Sequence, residues 1–93
     1  MIRKENYYSI YDTQLKKLGT ICNKSSMSDA ISALRSVLSN DGDISDVSDK
    51  ELFNNWGYIL IKHNSHVIPN NKIEWFWLRK IIDFKIIYNT KFL

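Results

Sequence analysis

The stretch KIEWFWLRKIIDFKIIYN, Lys72 to Asn89, decides the fold. Its wealth of Ile, Trp, Phe and Tyr favours a strand. A half-buried strand would alternate apolar and polar residues, and that alternation fails at Trp75 and Phe76 and again at Ile81 and Ile82. Ile73, Trp77, Ile81, Phe84 and Tyr88 instead align on one side of a helical wheel, so the spacing predicts a helix over 72–89. Asn71 and Glu74 are its candidate caps. A second apolar stripe, Trp75, Leu78, Ile82 and Ile86, runs beside the first, separated from it by Glu74, Lys85 and Asn89. Two stripes mean either a central helix buried on two sides or an exposed strip that binds a partner.

Working back from there, Ser48 and Glu51 stand at capping-box spacing, and Val47 and Leu52 occupy the hydrophobic-staple positions. A helix therefore starts at Ser48. The stripe Leu52, Phe53, Trp56, Ile59 and Leu60 carries it to His63. Upstream, Ser26 or Ser28 can cap a helix with Asp29 in its first turn and Ile31, Leu34, Val37 and Leu38 along one face. Asn40-Asp41-Gly42 ends it. Tyr7, Tyr11, Leu15, Leu18 and Cys22 recur at helical spacing and predict a first helix.

The expected fold is thus all-α, a single domain over residues 1–93 with about four helices near 6–22, 27–39, 49–63 and 72–89. Its expected core is Tyr11, Leu15, Leu18, Ile31, Leu34, Leu38, Leu52, Trp56, Leu60, Ile73, Trp77, Ile81 and Phe84. A hydrophobic content of 44% speaks against disorder.

Charge is segregated. Asp41, Asp43, Asp46, Asp49 and Glu51 against Lys50 give residues 41–51 a formal charge of −4, which leaves +7 elsewhere in a chain of net +3. Helix capping accounts for Asp49 and Glu51 but not for the other three. The five carboxylates are therefore the expected partner-binding site, facing a protein with a basic site. The stripe Trp75, Leu78, Ile82 and Ile86 is the alternative.

Chemistry is sparse. Setting Gly42 at the sixth position of a calcium loop puts Val37 first and Ser48 twelfth, where carboxylates are required. His63 and His66 have no Cys or carboxylate close in sequence and read as surface or helix-end histidines, while Cys22 reads as a buried thiol. Phosphate loops, Ser-centred elbows and HExxH are absent, with only three glycines in the chain. The expectation is no enzyme, no metal and no cofactor. Lys16, Lys17, Lys24, Lys72, Arg79, Lys80 and Lys85 would permit nucleic-acid binding, but they are scattered in sequence and the acidic loop would repel phosphate. A lone cysteine and the absence of an apolar leader or a 20-residue apolar run point to a cytoplasmic protein that does not enter a membrane.

In size, lack of catalytic motifs and an Ile-, Asn- and Lys-rich composition (13, 9 and 10 residues) suggestive of an AT-rich gene, the chain resembles bacterial toxin-immunity proteins. That likeness implies a non-catalytic inhibitor that binds and neutralises a cognate toxin domain such as a nuclease. A phage-encoded inhibitor of a host factor and a small basic nucleic-acid-binding protein are the alternatives.

Overall fold

The computed structural model of the chain describes residues 6–69 and 72–92, with the side chain of Asp41 also outside that description. The expected helical bundle is absent. A four-stranded antiparallel sheet runs through the molecule with helices on both faces, giving a mixed α/β fold. In chain order the elements are β1 (Tyr7–Asp12), β2 (Lys17–Leu18), α1 (Met27–Leu38), α2 (Asp49–Trp56), β3 (Tyr58–His63), α3 (Trp75–Ile81) and β4 (Phe84–Tyr88). Short 3-10 turns follow α1 and β4. The strand order is β2-β1-β3-β4.

Of the four expected helices, only 27–39 stands largely as spaced, with Ser26 Oγ accepting the Asp29 amide at 3.1 Å. Residues 6–22 turn back on themselves instead. Asp12 Oδ1 accepts the amides of Gln14 and Leu15 at 2.9 and 3.1 Å, Lys16 takes a left-handed φ of 52°, and β2 returns alongside β1. The predicted 49–63 helix starts where its cap places it, with Ser48 Oγ accepting the Glu51 amide at 3.3 Å. It stops at Gly57, whose φ of 74° closes α2 through its amide to the Phe53 carbonyl. A Cβ there would also lie 2.8 Å from Thr13 Oγ1. The predicted 72–89 helix breaks at Ile82, which is already extended, and its Ile-rich second half pairs with β3 as β4. Glu74 is the N-cap residue of α3 but makes no side-chain capping bond, and Asn71 lies outside the described residues.

These strands escape an alternation test because both faces of the sheet are covered. Leu60 faces α1 and α2, in a core with Ile10, Ile31, Leu34, Leu38, Leu52 and Phe53. Its neighbours Ile59 and Ile61 face α3, in a second core with Tyr11, Leu18, Val67 and Leu78. The β3–β4 register slips by one residue, so that Leu60 pairs with Tyr88 but Ile61 with Ile86. This bulge lets Ile87 and Tyr88 both reach the first core while Ile86 stays in the second.

The core expectation needs correction at six positions. Leu15, Trp56, Trp77 and Ile81 are exposed, and Ile73 and Phe84 are only half buried. Ile10, Phe53, Ile59, Ile61, Val67 and Leu78 fill the interior beside the expected residues. Among the described residues no helix is long and apolar enough to cross a membrane.

Candidate functional site

The acidic segment is partly a structural clamp. Arg35, in the last turn of α1, donates from Nη2 to Asp49 Oδ1 at 2.7 Å and from Nε to the same oxygen at 3.2 Å. It also donates to the carbonyls of Val47 at 2.7 Å and Ile44 at 3.2 Å. One guanidinium thus pins the whole 44–49 turn and sets the start of α2. Asp43 Oδ1 accepts the Ser45 amide at 3.0 Å, and the Ser45 amide and hydroxyl hold its carboxyl below the usual carboxylate range. Asp46 and Glu51 point into solvent, and the Arg35–Asp49 contact is the one ion pair among the described residues. The segment therefore brings Asp43, Asp46, Asp49 and Glu51 to one end of α1, with Asp49 already engaged; the Asp41 side chain lies outside the description.

The stripe Trp75, Leu78, Ile82 and Ile86 goes to the inside. Leu78 is 2% exposed, and the other three pack half-buried on the second core. The Trp75 ring sits 5.2 Å from Tyr11 and 5.1 Å from Phe84, and its indole N–H donates to the Phe92 carbonyl at 3.4 Å. Outside lie Trp77 and Ile81 of the other stripe together with Phe76, which belongs to neither stripe, while Ile73 and Phe84 pack against the second core and Tyr88 against the first. Phe76, Trp77 and Ile81 are 62, 55 and 66% exposed. The Phe76 and Trp77 rings meet edge to face at 5.6 Å, and the Lys80 ammonium lies 4.6 Å from one centroid and 5.2 Å from the other. Arg79 is exposed on the same short helix.

A third constellation joins residues 54 apart in sequence. Ser9 and His63, 0 and 3% exposed, meet through Oγ and Nε2 at 2.7 Å. The Ser65 carbonyl lies 2.6 Å from Nδ1 and can only accept, so Nδ1 carries the proton and Nε2 accepts from the Ser9 hydroxyl. Ser9 Oγ in turn accepts the Asn23 amide at 2.9 Å. A nucleophile, a base and an orienting group are lined up, yet the hydroxyl is sealed from solvent. The arrangement works as a strut tying β1, β3 and the 22–24 segment together. His63 is accordingly a buried strand residue rather than a surface or helix-end one. Burial pushes its pKa down, the Ser65 bond opposes that, and the neighbouring His66 charge adds to it. His66 is exposed and meets the Tyr7 ring edge-on at 5.6 Å. Cys22 is half buried beside the second core, and burial raises its thiol pKa. Among the described residues no three His, Cys, Asp or Glu side chains converge as a metal site.

Comparisons with protein-family models, curated proteins and solved structures find no match to this chain. The likeness to toxin-immunity proteins therefore rests on size and composition alone, and the all-helical bundle that accompanied it is replaced by a sheet.

The sequence holds only part of the signal for the exposed patch, since two stripes on one helix allow either burial on both sides or an exposed strip, and Phe76 lies on neither stripe. Wheel geometry alone does not say which. Nothing in the sequence pairs Ser9 with His63, because strand register creates that contact.

Proposed function

We propose that the protein is a non-catalytic binding protein whose partner, another protein, seats on the outer face of α3. One observation carries this reading: Phe76, Trp77 and Ile81 stand exposed together on a helix whose opposite side fills a core. Clustered aromatic side chains are what interfaces use as anchors. With Lys80 over both rings and Arg79 next to it, the complementary surface is an apolar pocket rimmed by carboxylates. A second reading keeps the acidic segment as the contact to a basic site, favoured by the exposed carboxylates of Asp46 and Glu51, which make no ion pair among the described residues. A reducing, cytoplasmic setting belongs to the proposal and rests on the single Cys22.

The test is to cross-link the protein to its partner in extracts of the source cells, then titrate the purified partner. Phe76→Ser with Trp77→Ser should remove about 2 kcal/mol or more per anchor, a loss of several hundredfold or greater. Asp46→Asn with Glu51→Gln should change affinity only a few-fold. The opposite pattern would move the interface to the acidic segment, and a partner indifferent to both pairs would refute both readings.

A further inference from the structure

The lysines that look scattered in sequence are not all scattered in space. Tyr8 pairs with Lys24 on one side and with Lys62 on the other, and Lys62 pairs with Lys85. Residues directly opposite in an antiparallel sheet share a face. Lys24, Tyr8, Lys62 and Lys85 therefore form one row across the sheet, on the side that α1 and α2 cover further along. At roughly 4.8 Å per strand the row is about 14 Å long. One step inward, Ile10 and Leu60 pair and begin the first core. One step outward, Asn6, Asn64 and Asp83 join Lys62 and Lys85 around an open cleft of about 250 Å³.

Like charges set opposite one another destabilise a sheet. Lysines guarding a sheet edge against aggregation are an ordinary explanation for such charges, and it serves for Lys85 on the edge strand β4. It does not serve for Lys62, which lies on the central strand β3. None of the three lysines belongs to an ion pair among the described residues; the Asp83 carboxylate on the cleft makes none with either lysine. At its Lys24 end the row is also remote from the acidic segment. Lys24 precedes the Ser26 cap of α1, whereas residues 41–51 follow its C-terminus, one 12-residue helix away. That is roughly 18 Å, beyond the screening length of about 8 Å at physiological salt.

We propose that this row and its cleft bind the phosphate backbone of a single-stranded nucleic acid. Three ammonium groups in line can contact successive phosphates, the Tyr8 phenol between two of them can donate to a phosphate oxygen, and the Asn6 and Asn64 amides offer donors and acceptors to a base. The row runs across the strands rather than along a protruding helix or two-stranded ribbon that could enter a duplex groove, so the single strand is the better fit. The surface lies on the opposite side of the sheet from α3, so the site and the protein-binding reading stand or fall separately.

Fluorescence anisotropy with a short fluorescein-labelled oligothymidylate tests this. Three phosphate contacts predict a log–log salt slope of about −2, so affinity should fall about 20-fold between roughly 50 and 200 mM salt. Lys62→Gln with Lys85→Gln should leave a slope of about −0.7 and a fall of about threefold. Its melting temperature should hold or rise, because a repulsive pair is gone; that separates lost binding from lost folding. Phe76→Ser with Trp77→Ser should leave oligonucleotide binding unchanged. Four results would each overturn the proposal: no binding by the parent, equal binding by the double-lysine variant, equal affinity for a duplex of the same length, or displacement by polyglutamate at matched charge concentration.

Discussion

Replacing Ser9 by Ala probes the buried strut most directly. The change removes the donor to His63 Nε2 and the acceptor for the Asn23 amide. Both serine and histidine are sealed from solvent, so water cannot stand in. Leaving a buried polar group unsatisfied costs about 1–3 kcal/mol, and two such groups give an expected loss of roughly 2–5 kcal/mol. For a chain of 93 residues that lowers the melting temperature by about 10 °C or more. Urea unfolding of parent and variant at neutral pH measures it. A pH series supplies an independent arm. The folded pKa of His63 is depressed by burial below its ordinary 6.5. The folded state then binds fewer protons than the unfolded chain across that window. Stability is fully present above 6.5, declines as the pH falls below it, and is lost once the pH has passed through the folded pKa. His63→Gln keeps a hydrogen-bonding side chain but cannot titrate, and should flatten this dependence. A Ser9→Ala cost under about 0.5 kcal/mol, or an unchanged pH profile in His63→Gln, would refute the strut.

Adjacent residues on α3 should behave oppositely: Leu78→Ala should cost about 2–5 kcal/mol, whereas Trp77→Ser should stay within about 0.5 kcal/mol. Thermal melts of the two compare them, and a costly Trp77→Ser would put the wrong stripe on the outside. Gly57→Ala meets both a left-handed φ and Thr13 Oγ1, so chemical denaturation should show a loss above about 1 kcal/mol. Ser48→Ala should cost about 1 kcal/mol through the Glu51 amide, and an unchanged melting temperature would remove the cap. Arg35→Met should destabilise by about 2–3 kcal/mol by releasing the 44–49 turn, clearly more than Asp49→Asn, whose half-exposed ion pair is worth about 1 kcal/mol or less.

What the sequence by itself determined is local. The start of α2 at Ser48, and that of α1 to within the choice of Ser26 or Ser28, are legible because a serine hydroxyl and an amide three residues on make the whole interaction. The segregation of negative charge into 41–51 is equally a property of the chain alone. Tertiary structure decided the rest. Tyr7 finds its partner at His63 and Leu60 at Tyr88, and no window of neighbouring residues contains such pairs. Where a strand is buried on both faces, as at Ile59, Leu60 and Ile61, it is apolar without alternation, so the run also satisfies helical spacing, and Leu52, Phe53, Trp56, Ile59 and Leu60 mimic one helix across a break at Gly57. The same holds for the surfaces. Which stripe of α3 faces outward depends on the second core beneath it, and Lys24, Lys62 and Lys85 become a row only when strand register sets them side by side, because hydrogen bonding between distant segments, not proximity in the chain, chooses a strand's neighbours.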